Sequence, residues 1–200
     1  MAGAGFDALV GVNCWELATV RSEPAVEALA DEVADSLLAR FDAERITWVD
    51  VVDESDGRAV RDERGRWVGT ASGATRTLDA LLPVLIDPRP EVADAVFASL
   101  RDPAAHGAAY GPTGVHRDEP AFDPTRYWRG PAWPQLTYLL WVAARSADRA
   151  EDAAWLAEHL RAGAAASDFA EYWDPDTGAG LGARPQSWTA LAAVVGPPAD

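Results

Sequence analysis

The chain has 200 residues, 48% of them hydrophobic, and a formal charge of −15 with a pI near 4.5. That length supports one or two domains with a sizeable core. The 17 basic residues, all Arg, face 32 acidic ones and form no basic stripe, so nucleic-acid binding through phosphate contacts is excluded.

The chain opens with a predicted helix over residues 6–21, with Phe6, Leu9, Val10, Asn13 and Leu17 on one face. Ser22 reads as the N-cap of the next helix, with Pro24 in its first turn. Val26, Leu29, Ala30, Val33, Leu37, Leu38 and Phe41 then keep amphipathic spacing. Residues 44–70 change character: Trp48 to Val52 is short and β-like, Asp56-Gly57 signals a turn, and a small hairpin is expected. The acidic cluster Asp50, Asp53, Glu54 and Asp56 reads as a solvated face.

Thr77 to Ile86 is a helical stretch weakened by Pro83, and Pro90 opens a helix reaching Leu100. Residues 102–130, rich in Gly, Pro and Asp, form a loop too long to be a mere connector. Helices follow near 132–146 and 150–166, then a second long loop over 167–186 and a last helix over 187–195. Helical hairpins joined by long loops stack into bundles, solenoids or closed toroids, with a site where the loops gather. No internal repeat counts the modules.

The chemistry concentrates in the last third. Tyr127-Trp128-Arg129-Gly130-Pro131-Ala132-Trp133-Pro134, Glu171-Tyr172-Trp173-Asp174-Pro175-Asp176-Thr177-Gly178 and Gln186-Ser187-Trp188-Thr189-Ala190 are aromatic-rich loop segments. Aromatic faces suit the apolar sides of pyranose rings. Glu171, flanked by Phe169, Tyr172 and Trp173, is the candidate catalytic carboxylate; as a residue it could equally be a surface Glu or a helix-end cap. Trp128 and Trp133 are candidate sugar platforms, and core packing is the competing reading. Pro131 is read as a possible start of the following helix. Asp174 to Gly178 is read as a tight turn, since it lacks the spaced acidic ligands and terminal Glu of a calcium loop. His116 lies in the loop before Tyr127 and is read as outside the site.

No Ser-His-Asp, phosphate-loop or metal-ligand spacing is present, and neither metal nor cofactor is expected. The single Cys14 allows no disulfide within the chain and reads as a small buried hydrophobe. There is no basic n-region and no apolar run long enough to span a membrane, so a soluble cytoplasmic protein is the expectation.

The ordered set of Tyr-Trp-Arg-Gly-Pro-x-Trp-Pro, Glu-Tyr-aromatic-Asp-Pro-x-Thr-Gly-x-Gly and Ser-Trp-Thr-Ala resembles glycoside hydrolase family 63, in particular its bacterial glucosylglycerate and mannosylglycerate hydrolases. Residues 122–190 carry the resemblance. It implies an all-α fold, the six-hairpin α/α toroid, and an inverting mechanism with an Asp acid and a Glu base. It implies Glu171 as general base, Tyr127, Trp128, Arg129, Trp133 and Tyr172 as substrate contacts, and Gln186 as a polar contact favouring glucosylglycerate. The acid-bearing motif of the family, Glu-Ser-Gly-x-Asp-Asn-Ser-Pro, does not occur in this sequence. The expectation is therefore a single domain, residues 1–200, corresponding to the C-terminal half of the toroid, with a β-like excursion near 44–70. Its partners would be a small carbohydrate and either a second copy or the N-terminal half. The chain alone would be nearly inactive, and its uncovered helix faces would promote association. A non-catalytic carbohydrate-binding remnant is the alternative.

Overall fold

In the computed structural model, residues 3–50, 59–61, 67–69 and 75–196 are described. The chain divides into two compact units, residues 1–74 with 79–96, and residues 75–78 with 97–200. Asp53, Glu54 and Asp56-Gly57 lie outside the described residues.

The first unit is built on α1 (Ala4–Arg21) and α2 (Pro24–Leu38), joined by a tight turn. Their packing corrects the expected apolar face. The buried side of α1 is Ala4, Gly5, Ala8 and Gly11, whereas Phe6 is 71% exposed and Leu17 45% exposed. Small residues win because they let backbones close: a Cβ on Gly5 would lie 2.5 Å from the Asp79 carbonyl oxygen. α2 answers with Ala30, Ala34 and Leu37, and Leu29 points outward. Ser22 does not cap α2. It ends α1 in the left-handed conformation, its N–H donating to the Ala18 carbonyl, and Glu23 takes the N-cap position before Pro24 at N1.

The buried Arg40 donates to Asp7 at 2.7 Å, and the exposed Asp50 accepts the Ala4 N–H at 2.8 Å, both at the N-terminal end of α1. Cys14 is half-buried rather than enclosed. The β-like region holds two small antiparallel hairpins, β1 (Phe41–Asp42) with β2 (Thr47–Trp48) and β3 (Ala59–Arg61) with β4 (Trp67–Gly69). Thr77 to Ile86 contributes a 3₁₀ segment, Asp79–Leu85, with Pro83 inside it, where its ring would clash with the carbonyl four residues earlier in a regular α-helix. Then α3 (Pro90–Arg101) begins at its proline as expected.

The second unit packs α4 (Pro134–Ser146) against α5 (Ala150–Ala166), with the closing 3₁₀ segment Ser187–Ala193 laid on both. The helix after the aromatic motif starts at Pro134, with Trp133 as its N-cap, not at Pro131. The core gathers Ala132, Ala157, Leu160, Ala164, Trp173, Ala192 and Val195. The second loop contains a hairpin that its sequence conceals, β5 (Tyr172–Trp173) with β6 (Gly180–Leu181). Its turn is an Asx turn: the Asp174 carboxylate accepts the N–H groups of Asp176 at 2.8 Å and Thr177 at 3.2 Å, as the tight-turn reading requires. No helix among the described residues is long and apolar enough to cross a membrane.

Candidate active site

Two segments forty residues apart in sequence meet through one bridge. Ala132 pairs with Trp173, its N–H donating to the Trp173 carbonyl at 2.9 Å and its carbonyl accepting in return at 3.3 Å. Trp173 anchors the bridge. Its ring is fully buried, its indole N–H donates to the Tyr110 carbonyl at 2.6 Å, and Gly163 of α5 makes the space, since a Cβ there would sit 2.3 Å from the indole. Trp173 is thus the floor of the site and not, as its place beside Glu171 suggested, part of the wall around it.

The bridge aligns an aromatic stack. Trp133 lies between Trp128, at 3.9 Å and 11°, and Tyr172, at 4.6 Å and 25°. The Tyr127 ring packs edge-on against Trp128, Trp133 and Tyr172. Trp133 is completely buried, so it supports the stack and offers no free face to a sugar. Trp128 and Tyr127, 48% and 52% exposed, are the accessible rings. Trp128 holds a left-handed φ of 55°, a strained conformation for a large side chain and one that concentrates at functional sites. The loop sustains it through Gly130, where a Cβ would lie 2.7 Å from the Asp123 carbonyl oxygen. Asp123 closes that loop by accepting from the Thr125 N–H and hydroxyl, bonds that hold its carboxyl below the usual range. Arg129 is exposed and makes no ion pair among the described residues.

Glu171 immediately precedes β5 and is half-buried. Its N–H donates to the Ala183 carbonyl at 2.8 Å, and its Oε2 accepts the Ala183 N–H at 3.1 Å. Gly182, at φ 71°, allows this approach, because a Cβ there would meet Oε2 at 2.5 Å. The other carboxylate oxygen, Oε1, accepts no hydrogen bond among the described residues and is left for water. Burial, then the Glu171 charge, then Tyr127 raise the Tyr172 hydroxyl above its usual pKa, which keeps it a neutral donor. Gln186 caps the last 3₁₀ segment: its Oε1 accepts the Ser187 N–H at 2.7 Å, and its backbone N–H donates to the Phe169 carbonyl. One residue missed by the sequence reasoning is Trp188, whose indole N–H donates to the Glu171 carbonyl at 2.9 Å. Its adjacency to Ser187-Thr189 in the motif was the available signal.

His116 belongs to a separate cluster. It faces Arg76 at 3.1 Å and the edge of the fully buried His106 ring, and Arg76 pairs with Glu119 at 2.7 Å. Burial lowers the pKa of both histidines, to about 4 for His106. A cavity of about 650 Å³ lies elsewhere in this unit, among Arg145, Arg149, Arg161 and the alanine face of α5. Its cations are already engaged, Arg149 by Asp152, Arg161 by the Val195 carbonyl and Arg145 by the Trp141 ring.

A mostly helical scaffold of this kind, with aromatic loops gathered at the helix ends, is of the α/α-toroid class. The model of the mannosylglycerate hydrolase MGH1-like glycoside hydrolase domain matches residues 15–189, and the chain belongs to that family. The glucosylglycerate hydrolase of Mycolicibacterium hassiacum is 47% identical over 81 residues, 40% of this chain and 17% of that protein. The mannosylglycerate hydrolase of Thermus thermophilus is 31% identical over 121 residues, 60% of this chain and 29% of the relative. A crystal structure of GH63 mannosylglycerate hydrolase from Thermus thermophilus in complex with glucose superposes with a TM-score of 0.77 at 27% identity, covering 96% of this chain and 47% of that one. A further structure of the same enzyme, in complex with Tris and D-glycerate, gives 0.78 at 25% identity and covers 96% of this chain and 45% of that one. The chain therefore spans about half the length of the solved structures it resembles.

Proposed function

We propose that this chain supplies the general base and the aromatic sugar-binding face of an inverting glycoside hydrolase. The substrate is an α-glucosyl, or α-mannosyl, glycoside of a small hydroxy acid, with glucosylglycerate favoured. The observation that carries the reading is Glu171. One of its carboxylate oxygens is held by the Ala183 N–H, the other accepts no hydrogen bond among the described residues, and the next residue, Tyr172, stacks on Trp133 and meets the half-exposed Tyr127 ring edge-on. Oε1 takes the proton of a water that attacks the anomeric carbon, while the bond to the aglycone oxygen breaks on the opposite face. Trp128 and Tyr127 cover the apolar side of the ring. Trp133 and Tyr172 hold those rings in place. Gln186 retains its amide N–H₂ for a sugar hydroxyl, and Arg129 supplies positive charge for the carboxylate of the aglycone.

An inverting pair of carboxyl groups stands roughly 6.5–9.5 Å apart, and the acid of the pair protonates the leaving oxygen. The family's acid motif does not occur in these 200 residues, so the isolated chain turns over glycosides poorly. Loss of general acid catalysis alone costs about 10²–10⁴-fold. A small soluble substrate fits a cytoplasmic enzyme. The exposed Phe6, Leu17 and Val20 of α1 support self-association or contact with further helices.

Calorimetric titration with glucosylglycerate tests the binding half of this reading. Binding that is lost in Trp128→Ala and kept in Glu171→Gln agrees with it, and absence of binding by the unaltered chain refutes it. The second reading, a non-catalytic sugar-binding remnant, is favoured by the missing acid motif. It differs in predicting no Glu171-dependent bond cleavage of any kind.

A further inference from the structure

Four consecutive bonds tie the Glu171 strand to the segment that follows β6. The carbonyl of Phe169 accepts the Gln186 N–H at 3.0 Å, and the carbonyl of Ala170 accepts the Thr189 hydroxyl at 2.7 Å. The carbonyl of Glu171 accepts the Trp188 indole N–H at 2.9 Å, the Glu171 N–H donates to the Ala183 carbonyl, and the Ala183 N–H donates to the Glu171 carboxylate. Of these groups only Trp188 also touches the aromatic stack, its ring standing edge-on to Trp133 at 6.5 Å and 65°.

We infer that Trp188 is a positioning residue for Glu171. Resting on the proposed base role, it ties the main chain of the carboxylate residue to the stack that would seat the sugar, and so fixes the distance between base and ring. It touches no reacting atom. The physical case is one of geometry. The main chain of Glu171 carries the carboxylate, and misplacement by about 1 Å costs on the order of 10²-fold in rate. A single side chain that contacts both that main chain and the stack holds their separation. Thr189, fully buried and bonded one residue earlier, holds the strand but contacts no ring of the stack.

The chain labelled with ¹³C at glutamate carboxyls and ¹⁵N at tryptophan side chains provides the test, with Glu171→Gln used to assign the Glu171 signal. In the unaltered chain the Trp188 indole N–H signal should follow the titration of Glu171, and that dependence should vanish in Glu171→Gln. Trp188→Phe keeps a ring and removes the N–H; the Glu171 carboxyl signal should move and broaden in it. Thr189→Val should lower the melting temperature and leave the Glu171 signal in place. An indole signal indifferent to Glu171, or a Glu171 signal unchanged in Trp188→Phe, or one moved equally by Thr189→Val, would overturn the inference. The indole measurement needs no Trp188 variant, so a folding defect in Trp188→Phe does not shield the claim. Failure of the base role is read separately: Glu171→Gln would then release fluoride from α-D-glucosyl fluoride, which needs no acid, at the unaltered rate, whatever the indole signal does.

Discussion

Gly163 sits in the middle of α5, where Ala is the better helix former by about 1 kcal/mol. Propensity alone therefore predicts that Gly163→Ala stabilises. The packing predicts the reverse. The new Cβ would lie 2.3 Å from one atom of the Trp173 ring and 2.4 Å from two more, so the indole must shift by roughly 1 Å to restore ordinary contact. Trp173 is wholly buried and cannot yield toward solvent. Overpacking of this kind costs about 1–3 kcal/mol. The shift also breaks the indole bond to the Tyr110 carbonyl, about 1 kcal/mol more. Set against the gain in propensity, the net loss is about 1–3 kcal/mol. At about 2–4 °C per kcal/mol for a chain of this length, the thermal midpoint should fall by roughly 2–12 °C. Circular dichroism melting measures it. A Gly163→Ala chain melting at or above the unaltered midpoint would refute the claim that Trp173 packing dictates this glycine.

Gly182→Ala should misplace the Glu171 carboxylate, because the position holds φ 71° and the Cβ would meet Oε2 at 2.5 Å; loss of Glu171-dependent catalysis with a change in midpoint of a few degrees at most is expected in an activity and melting comparison. Trp128→Ala and Trp133→Ala should separate function from packing. The exposed ring should cost sugar affinity about tenfold with little stability, read by calorimetry, and the buried one about 3–5 kcal/mol of stability, read by denaturant unfolding. His106, held neutral with a pKa of about 4 against 6.5 unfolded, makes the unfolded chain bind more protons between those values. Stability is thus full above about pH 6.5 and is lost as pH falls toward 4, by about 3 kcal/mol for this residue at roughly 1.4 kcal/mol per unit. Denaturant midpoints between pH 7 and 4 should show that slope, and His106→Asn should flatten it.

The sequence made the helices visible where periodicity or proline marked them. α3 starts at Pro90, and α4 and α5 lie within two residues of their expected spans. It misdirected the reading of α1, since hydrophobicity pointed to Phe6 and Leu17 while the buried face is small residues, with Gly5 letting the Asp79 backbone approach closely. Ser22 has the chemistry of an N-cap but ends the preceding helix, because Pro24 already sets the next one. In the candidate site, residue type singled out Glu171 and its neighbouring rings, and the fold gathers Tyr127, Trp128, Trp133 and Tyr172 into one stack. The division of labour within the stack depends on which tryptophan the Ala132–Trp173 bridge buries, a long-range contact with no local signal. The same holds for the β5–β6 hairpin, whose glycines read as loop, and for Trp188, whose role depends on its reach to a carbonyl 17 residues away.

The central claim is that Glu171 activates water. Fluoride leaves without protonation, so α-D-glucosyl fluoride needs the base but not the missing acid. Fluoride release by the isolated chain, with the first-formed sugar read by NMR, is the most direct measurement. The account predicts release well above the buffer rate, β-glucose as the first product, and a loss of about 10²–10⁴-fold in Glu171→Ala. Release that survives Glu171→Ala unchanged, or an unaltered chain no faster than buffer, would contradict it.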